Sequence, residues 1–123
     1  MDMSITGICL DCGDAEALAE FYSKLLGWEI TIRGNGWAGI HAPRGFVLAF
    51  QPVENYIPPV WPWKDGEQQQ MAHMDFTVGN LPEAVARAIE CGARKADEQF
   101  FDNFTVMLDP AGHPFCLSAS HER

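Results

Sequence analysis

The strongest constraint on the fold is an internal repeat, because the chain shows the same order of strand and helix signals twice. The first half has strand patterns in ITGICLDC, WEITIRG, WAGIHAP and FVLAFQPV, with a helix pattern in DAEALAEFYSKLLG after the first of them. The second half repeats this order with HMDFTVG, ARKADEQ, FTVMLDP and PFCLSAS, and its helix pattern is LPEAVARAIECG. A repeated supersecondary unit predicts two modules of one topology. The predicted fold class is therefore α+β, with two βαβββ modules.

Composition places the boundaries of the modules. Residues 1–53 form the predicted first module and residues 72–123 the second, within one domain overall. Residues 54–71 lie between them and are rich in proline, aromatic and polar side chains, which is typical of a linker. Two curved sheets built in this way are expected to form a trough.

Local signals support both helices and align the two modules. Asp14 and Asn80 stand at expected N-caps, since Asp and Asn side chains accept hydrogen bonds from the first helical turn. Gly27 and Gly92 follow the apolar helical patterns, as glycines at helix C-termini commonly do. Counting back seven residues from the two N-caps makes Gly7 equivalent to His73. Counting four residues on from Gly45 and Gly112, which open the last strand of each module, makes Ala49 equivalent to Cys116.

Strand alternation assigns polar side chains to one face of each sheet. Successive residues of a strand point to opposite sides, so the apolar residues of HMDFTVG cover the helix, whereas His73 and Asp75 point away from it. The same alternation places Asp11, Gln51 and Cys116 on the face that carries no helix. We call this side the helix-free face, and it is the predicted location of a site.

The charge of the chain argues against two classes of partner. Its 17 acidic and 8 basic residues give a formal net charge of −9. Nucleic acids and anionic membrane surfaces attract clustered lysine and arginine, and here these residues are scattered. No apolar run reaches the roughly 20 residues that span a bilayer. Because MDMSITG shows no signal-peptide pattern, a cytoplasmic location is expected.

The four cysteines are expected to be reduced thiols in that location. Cys9 and Cys12 form a C-x-x-C pattern, but they lie in a predicted strand, where residues three apart point to opposite faces. No second pair of this kind completes a zinc site. The pattern therefore predicts neither a metal site nor a redox role for this pair.

The segments DAEALAEFYSKLLGW and LDPAGHPFCL, with the duplicated βαβββ order, resemble the vicinal oxygen chelate superfamily. This superfamily includes glyoxalase I, bleomycin-resistance proteins, fosfomycin-resistance enzymes and extradiol dioxygenases. The segments FQPV, PPVWP and QQQMAHMDF are similar to a group of small glyoxalase-like proteins of mostly unassigned activity. The resemblance covers nearly the whole chain and implies the fold. It does not imply one chemistry, so function has to be argued from the site.

For the metal-dependent members, the resemblance implies one ligand on each of the first, fourth, fifth and eighth strands. The corresponding positions here are Gly7, Ala49, His73 and Cys116, and only His73 keeps a residue of that pattern. Catalytic zinc sites hold about three protein ligands, so we expect no metal and no other cofactor. The alternative is a divalent metal held by His73 with Gln51 or His41 as a substitute ligand, in a glyoxalase-type lyase or isomerase.

Without a metal, the polar helix-free faces predict a site for a small molecule. The resemblance to bleomycin-resistance proteins implies a site of the resistance or sequestration type. The 4 tryptophans and 8 phenylalanines supply flat apolar walls that suit an aromatic ligand. Trp37 and Phe104 occupy the equivalent third strands and are the preferred aromatic candidates. The candidate ligand-binding residues are His73, Gln51, Cys116, Asp75, Asp11, Trp37 and Phe104. Trp61 and Trp63 lie in the linker, where they are interpreted as pinning the loop or covering a dimer seam.

Several roles stay open at this point. His73 is either a hydrogen-bonding pocket residue or a buried structural histidine. Cys116 is either a nucleophile activated by His73 or a buried inert thiol. Asp11 and Asp75 either bind a cationic group of the ligand or are solvated. Whether the protein is an enzyme is open, and an interaction module without a pocket is a third hypothesis. Exposed sheet edges and the family resemblance favour a homodimer.

Overall fold

A computed structural model describes residues 2–119, and they divide into two compact units between Tyr56 and Ile57. The first unit contains β1 (Gly7–Cys12), α1 (Ala15–Leu26), β2 (Glu29–Gly34), β3 (Trp37–His41) and β4 (Val47–Pro52). The second contains β5 (Met74–Thr77), α2 (Leu81–Cys91), β6 (Arg94–Lys95), β7 (Phe104–Leu108) and β8 (Pro114–Ser118). Each unit therefore has the predicted βαβββ order, and the α+β fold class is confirmed.

The two sheets also share one topology. Their strand orders are β1-β4-β3-β2 and β5-β8-β7-β6, so the first strand of each unit lies beside its last. That pair is parallel and the other pairs are antiparallel. Cys9 lies opposite Ala49, and Asp75 lies opposite Cys116. The predicted equivalence of Ala49 and Cys116 is thus confirmed by the strand register.

Both helices begin at the predicted caps. The Asp14 side chain accepts a hydrogen bond from the backbone N–H of Ala17 at 3.0 Å, and the Asn80 side chain accepts one from Glu83 at 3.0 Å. These bonds satisfy amides that the first turn of a helix leaves unpaired. Gly27 ends α1 with a φ of 72°, a left-handed conformation that glycine adopts at little cost.

The core of the first unit lies between α1 and its sheet. Tyr22 of α1 is fully buried, and its ring stacks on that of Phe50 with centroids 5.7 Å apart. The other large buried side chains of this core are Leu18, Phe21, Ile40 and Leu48. Each such side chain contributes about 1.5–3 kcal/mol on burial. Ile8, which alternation places under α1, is 40% exposed because β1 is the edge strand of the sheet.

The core of the second unit depends on the sheet more than on the helix. Ala88 is the buried residue of α2, whereas all five residues of β8 are buried. On the helix side, the Phe115 ring meets Phe76 edge to face at 5.8 Å. On the helix-free side, Trp61 and Phe104 pack on a cluster formed by Ala96, Val106, Leu108 and Cys116. The strand β8 is therefore covered on both faces.

The predicted strand ARKADEQ is shorter than its pattern indicates, since β6 contains only Arg94 and Lys95. The Gln99 side chain explains the difference, because it takes over bonds that a longer strand would make. Its amide donates to the carbonyl oxygens of Ala96 and Val106, and its oxygen accepts from the N–H of Val106.

Residues 53–73 contain turns and bends but no helix or strand. All four cysteines are free, with Cys9 exposed and Cys12 buried on opposite faces of β1. Within residues 2–119, neither helix is long and apolar enough to cross a membrane.

Candidate functional site

The strands β5 and β8 bring three polar side chains together on the helix-free face of the second sheet. Asp75 lies opposite Cys116 in the parallel ladder, and His73 stands two residues before Asp75, so all three point to the same side. A ring nitrogen of His73, a carboxylate oxygen of Asp75 and the sulfur of Cys116 lie within 4.8 Å of one another. Three of the predicted site residues therefore form one cluster.

The cluster has an exposed rim and a buried floor. The side chains of His73 and Asp75 are 40% and 42% exposed, whereas Cys116 is only 6% exposed. His73 Nε2 lies 3.2 Å from Asp75 Oδ1. This contact places the imidazole ring beside the Asp75 carboxylate.

A cavity of about 210 Å³ adjoins the cluster. Its walls are mostly apolar, and they consist of Trp61, Gln70, His73, Phe101, Phe104, Val106, Pro114 and Cys116. The rings of Phe101 and Phe104 stack with centroids 4.6 Å apart and an interplanar angle of 24°, which gives the cavity a flat aromatic wall. Every lining residue belongs to the second unit.

Two polar atoms of the lining residues are buried without a partner. They are the indole Nε1 of Trp61 and the carboxamide Oε1 of Gln70, and neither forms a hydrogen bond with any residue in the range 2–119. Buried polar atoms in folded proteins are nearly always paired. Trp61 and Gln70 therefore stand out among the residues of this cavity.

Sequence reasoning did not select Trp61, Gln70 or Phe101. All three lie outside helices and strands, where neither the helical nor the strand period sorts side chains by face. One signal was available, because Val106 and Cys116 are apolar residues on the helix-free face and require an apolar cover. A tryptophan in the linker is suited to provide it.

The remaining predicted residues lie in the first unit. The Gln51 amide donates a hydrogen bond to the Asp11 carboxylate, so these two side chains bind each other. Trp37 stands at the start of β3 and is 43% exposed. The ring of His41, the proposed substitute ligand, is hydrogen bonded to the hydroxyl of Thr31.

The thiol of Cys9 in the first unit has a perturbed ionisation. Partial burial raises the pKa of Cys9, and the negative charge of Asp11 raises it further. Both effects disfavour the thiolate, which is the form that attacks electrophiles and binds metals. Cys9 is therefore a poor nucleophile and a poor ligand at neutral pH.

The two units differ in their ability to hold a metal ion. Gly7 and Ala49 carry no donor atom, and a Cβ at Gly7 would lie only 2.8 Å from the carbonyl oxygen of Val47. A ligand side chain therefore does not fit at position 7 unless the backbone moves. In the second unit, His73, Asp75 and Cys116 supply one nitrogen, one oxygen and one sulfur. Three such ligands fit a tetrahedral site with one open position, and the thiolate favours zinc over magnesium or manganese.

The metal expectation drawn from the sequence counted only His73 and Cys116 as donors at the ligand positions. The structure adds the Asp75 carboxylate, which comes from the same strand as His73. The donor set is therefore larger than the sequence indicated, and it lies entirely in the second unit.

Comparison with known proteins identifies relatives of the whole chain. A family model described as a glyoxalase-like domain matches residues 7–118. A possible glyoxalase from Bacillus cereus is 19% identical, with a TM-score of 0.67 over 95% of this chain and 99% of that chain. A glyoxalase/bleomycin resistance protein/dioxygenase family enzyme from Burkholderia phytofirmans PsJN is 18% identical, with a TM-score of 0.69 over 94% of this chain and 97% of that chain.

A glyoxalase family protein from Enterococcus faecalis gives a similar result, with 20% identity and a TM-score of 0.69 over 94% of this chain and 96% of that chain. The comparison with curated proteins gave no match. At these identities, the structural similarity shows the fold alone, because one fold hosts many functions.

Proposed function

The chain belongs to the glyoxalase-like domain family of the vicinal oxygen chelate superfamily, and we propose that it binds a small aromatic molecule in the cavity of its second unit. The observation that carries the proposal is the cavity of about 210 Å³, with Trp61, Phe101 and Phe104 among its walls. Ligand sites are typically concave and mostly apolar, with a few polar groups that fix orientation. The presence of this cavity speaks against an interaction module without a pocket.

The size and shape of the cavity favour a flat ligand of one or two rings. Its volume is below the roughly 300–1,000 Å³ of sites for drug-sized molecules. The stacked rings of Phe101 and Phe104 present an extended flat surface. Aromatic rings prefer offset-stacked or edge-to-face contacts with such a surface.

The polar end of the cavity orients the ligand. His73 and Cys116 line it, and His73 Nε2 lies 3.2 Å from Asp75 Oδ1. Binding of this kind requires no ion and no chemical step, so we propose sequestration without a cofactor. Asp75 is not among the residues that line the cavity, and the Asp11 carboxylate is engaged by Gln51, so we propose no contact between either carboxylate and the ligand.

Calorimetric titration with a set of one-ring and two-ring aromatic compounds tests this proposal. We expect at least one compound to bind with a Kd below about 1 mM, which corresponds to about −4 kcal/mol. The variant Phe104→Ala is expected to weaken binding about tenfold, since an aromatic contact contributes about 0.5–1.5 kcal/mol beyond its buried area. Trp63→Ala is the matched control, because Trp63 is 53% exposed and does not line the cavity.

Two results would overturn the proposal. The first is that no compound of the set binds to the wild-type protein. The second is that Phe104→Ala and Trp63→Ala weaken binding equally, because the aromatic wall would then have no specific role.

A second candidate function is a metal-dependent lyase or isomerase of the glyoxalase type. The observation that favours it is the convergence of His73, Asp75 and Cys116 donor atoms within 4.8 Å. These residues would hold the ion, which would polarise an oxygen of the substrate as a Lewis acid. Trp61, Phe101 and Phe104 would exclude water and position the substrate beside the cluster.

Metal analysis of protein purified without a tag or chelator distinguishes the two candidates. The metal-dependent candidate requires stoichiometric metal, and activity that EDTA removes and Ni, Zn or Mn restores. Cobalt substitution adds a direct readout, because a thiolate ligand gives an intense charge-transfer absorption that Cys116→Ser would remove. Cys9→Ser is the control and would keep it. Protein that binds none of these ions would exclude the metal-dependent candidate.

We also propose a cytoplasmic homodimer. The edge strand β2 has five exposed residues out of six, and an unpaired edge of this kind is a site for strand pairing with another chain. Light scattering during size-exclusion chromatography should give twice the chain mass of 13.7 kDa. A mass of one chain at all concentrations would overturn the homodimer.

A further inference from the structure

We infer that the second unit holds another ligand site, which takes a small zwitterion with an apolar side chain, as a free apolar amino acid is. The site is a cavity of about 270 Å³ whose lining combines apolar and charged residues. We call it the charged cavity. It shares Trp61 with the cavity beside His73, and its other lining residues are different. It is therefore separate from the site of the proposed function.

The antiparallel pair of β6 and β7 forms the floor of the charged cavity. Arg94 lies opposite Leu108 in this pair. The N–H of Ala96 bonds to the carbonyl oxygen of Val106, so the pairing continues beyond Arg94. Arg94, Ala96 and Leu108 therefore lie on one face of the sheet, the helix-free face. Ala96 and Leu108 are buried, and Trp61 packs on the cluster that contains them, which makes the floor apolar.

Charged side chains of both signs line the cavity around this floor. Lys64 of the linker and Arg94 of β6 are basic, whereas the segment that follows β6 supplies two acidic residues, Asp97 and Glu98. All four are exposed. None of the four side chains forms an ion pair or a hydrogen bond with any residue between positions 2 and 119. Their charges are therefore available to a ligand.

This combination of charges selects among small ligands. A simple anion would be attracted by Lys64 and Arg94 but repelled by the two acidic residues, and a simple cation would meet the reverse. A zwitterion avoids both penalties, because its carboxylate binds near the basic pair and its ammonium group near the acidic pair. Charge complementarity of this kind mainly provides specificity.

The apolar floor and the volume narrow the class further. A hydrocarbon side chain that packs on Trp61 and Leu108 loses contact with water, which favours binding. The cavity is smaller than the roughly 300–1,000 Å³ of sites for drug-sized molecules, so a single amino acid fits it better than a peptide does.

Three probes with the same hydrocarbon part test the inference on the wild-type protein. L-Leucine carries both charges, isocaproate lacks the ammonium group, and isoamylamine lacks the carboxylate. We expect leucine to bind in the millimolar range, about tenfold more tightly than either analogue, since each analogue loses two exposed charge contacts. Chemical-shift titration of isotope-labelled protein measures the affinities, and the amides of Ala96 and Asp97 should shift.

Substitutions then assign the two charges of leucine to the two pairs of residues. Arg94→Gln should weaken leucine and isocaproate about threefold each and should not weaken isoamylamine. Asp97→Asn should weaken leucine and isoamylamine about threefold each and should not weaken isocaproate. The matched controls are Lys95→Gln and Asp102→Asn, which make comparable changes at exposed residues outside the lining and should alter none of the affinities.

The inference is wrong if leucine binds no more tightly than both of its analogues. It is also wrong if leucine, methionine and phenylalanine all leave the amide shifts unchanged at millimolar concentration, or if they shift the amides around Cys116 and not those around Ala96. Thermal unfolding shows whether each variant is folded, and the comparison of probes on the wild-type protein needs no variant. A failure of aromatic compounds to bind beside His73 would overturn the proposed function and leave this inference intact.

Discussion

The two units have the same topology but carry different side chains on the helix-free face. In the first unit, the centre of this face carries the smallest residues, Gly7, Gly39 and Ala49. In the second unit, the equivalent positions carry His73, Val106 and Cys116, and Trp61 packs over part of them. The two units therefore share one backbone topology, but the cluster of donor atoms and the cavity are found in the second unit.

On the helix side, the larger side chain is found in the first unit. Counting from the N-caps makes Tyr22 of α1 equivalent to Ala88 of α2, and both are fully buried. The helix of the first unit thus contributes a large aromatic ring to the helix–sheet interface. The helix of the second unit contributes a methyl group at this position, where the sheet supplies the rings of Phe76 and Phe115. The comparison teaches that the first unit depends on its helix for stability, while the second unit gains apolar burial from the segment that also forms the cavity.

The largest expected effect is the loss of the Tyr22 ring. Tyr22→Ala removes a fully buried ring that stacks on Phe50, and we expect a loss of about 3–5 kcal/mol in the free energy of unfolding. The equivalent change in α2, Ala88→Gly, should cost only about 1 kcal/mol, mainly through helix propensity. Urea denaturation followed by circular dichroism measures both values.

Glu20→Ala on the exposed side of α1 is the control and should change stability by less than about 0.5 kcal/mol. Equal losses for Tyr22→Ala and Ala88→Gly would show that the two helices contribute equally, and the contrast between the units would be wrong.

A smaller effect is expected at Gly7, the counterpart of His73. The added Cβ of Gly7→Ala would lie 2.8 Å from the carbonyl oxygen of Val47, so the parallel pair of β1 and β4 has to shift. Overpacking of this kind costs about 1–3 kcal/mol. His73→Ala should cost less than about 1 kcal/mol, because the His73 side chain is 40% exposed. Thermal unfolding of both variants tests the difference.

If Gly7→Ala leaves the unfolding temperature unchanged, the backbone does not exclude a side chain at this position. The absence of a donor atom at position 7 would then follow from the residue found there and not from the backbone.

The starts of the helices and the faces of the strands could be predicted from the sequence, because the signals for them are local. The caps Asp14 and Asn80 make the same bond at 3.0 Å, and they fix the start of each helix. Alternation along HMDFTVG and PFCLSAS then placed His73, Asp75 and Cys116 on one face, where the structure brings them together. Each of these inferences uses residues within one turn of a helix or one strand.

The walls of the cavity could not be predicted in the same way. Trp61 comes from the linker and Phe101 from the loop before β7, and no periodic pattern determines where such residues point. Their positions depend on packing across the helix-free face. The end of β6 was missed for a related reason, because a side chain of Gln99 replaces main-chain bonds at a distance of several residues.

The smallest expected effect concerns the thiols, which the two units place on different strands. Cys9 on β1 is the counterpart of Asp75, and Cys116 on β8 is the counterpart of Ala49. Partial burial raises the pKa of Cys9, and the charge of Asp11 raises it further. The rate at which iodoacetamide alkylates Cys9 should therefore rise at a higher pH than the rate at which it alkylates glutathione in the same sample. Asp11→Asn removes only the smaller cause, so the midpoint of the rate profile should move part of the way back. Asp2→Asn, an exposed change elsewhere in the first unit, should not move it. A Cys9 profile that coincides with that of glutathione would mean that burial and Asp11 do not act on this thiol, and the first unit would then offer a reactive sulfur of its own.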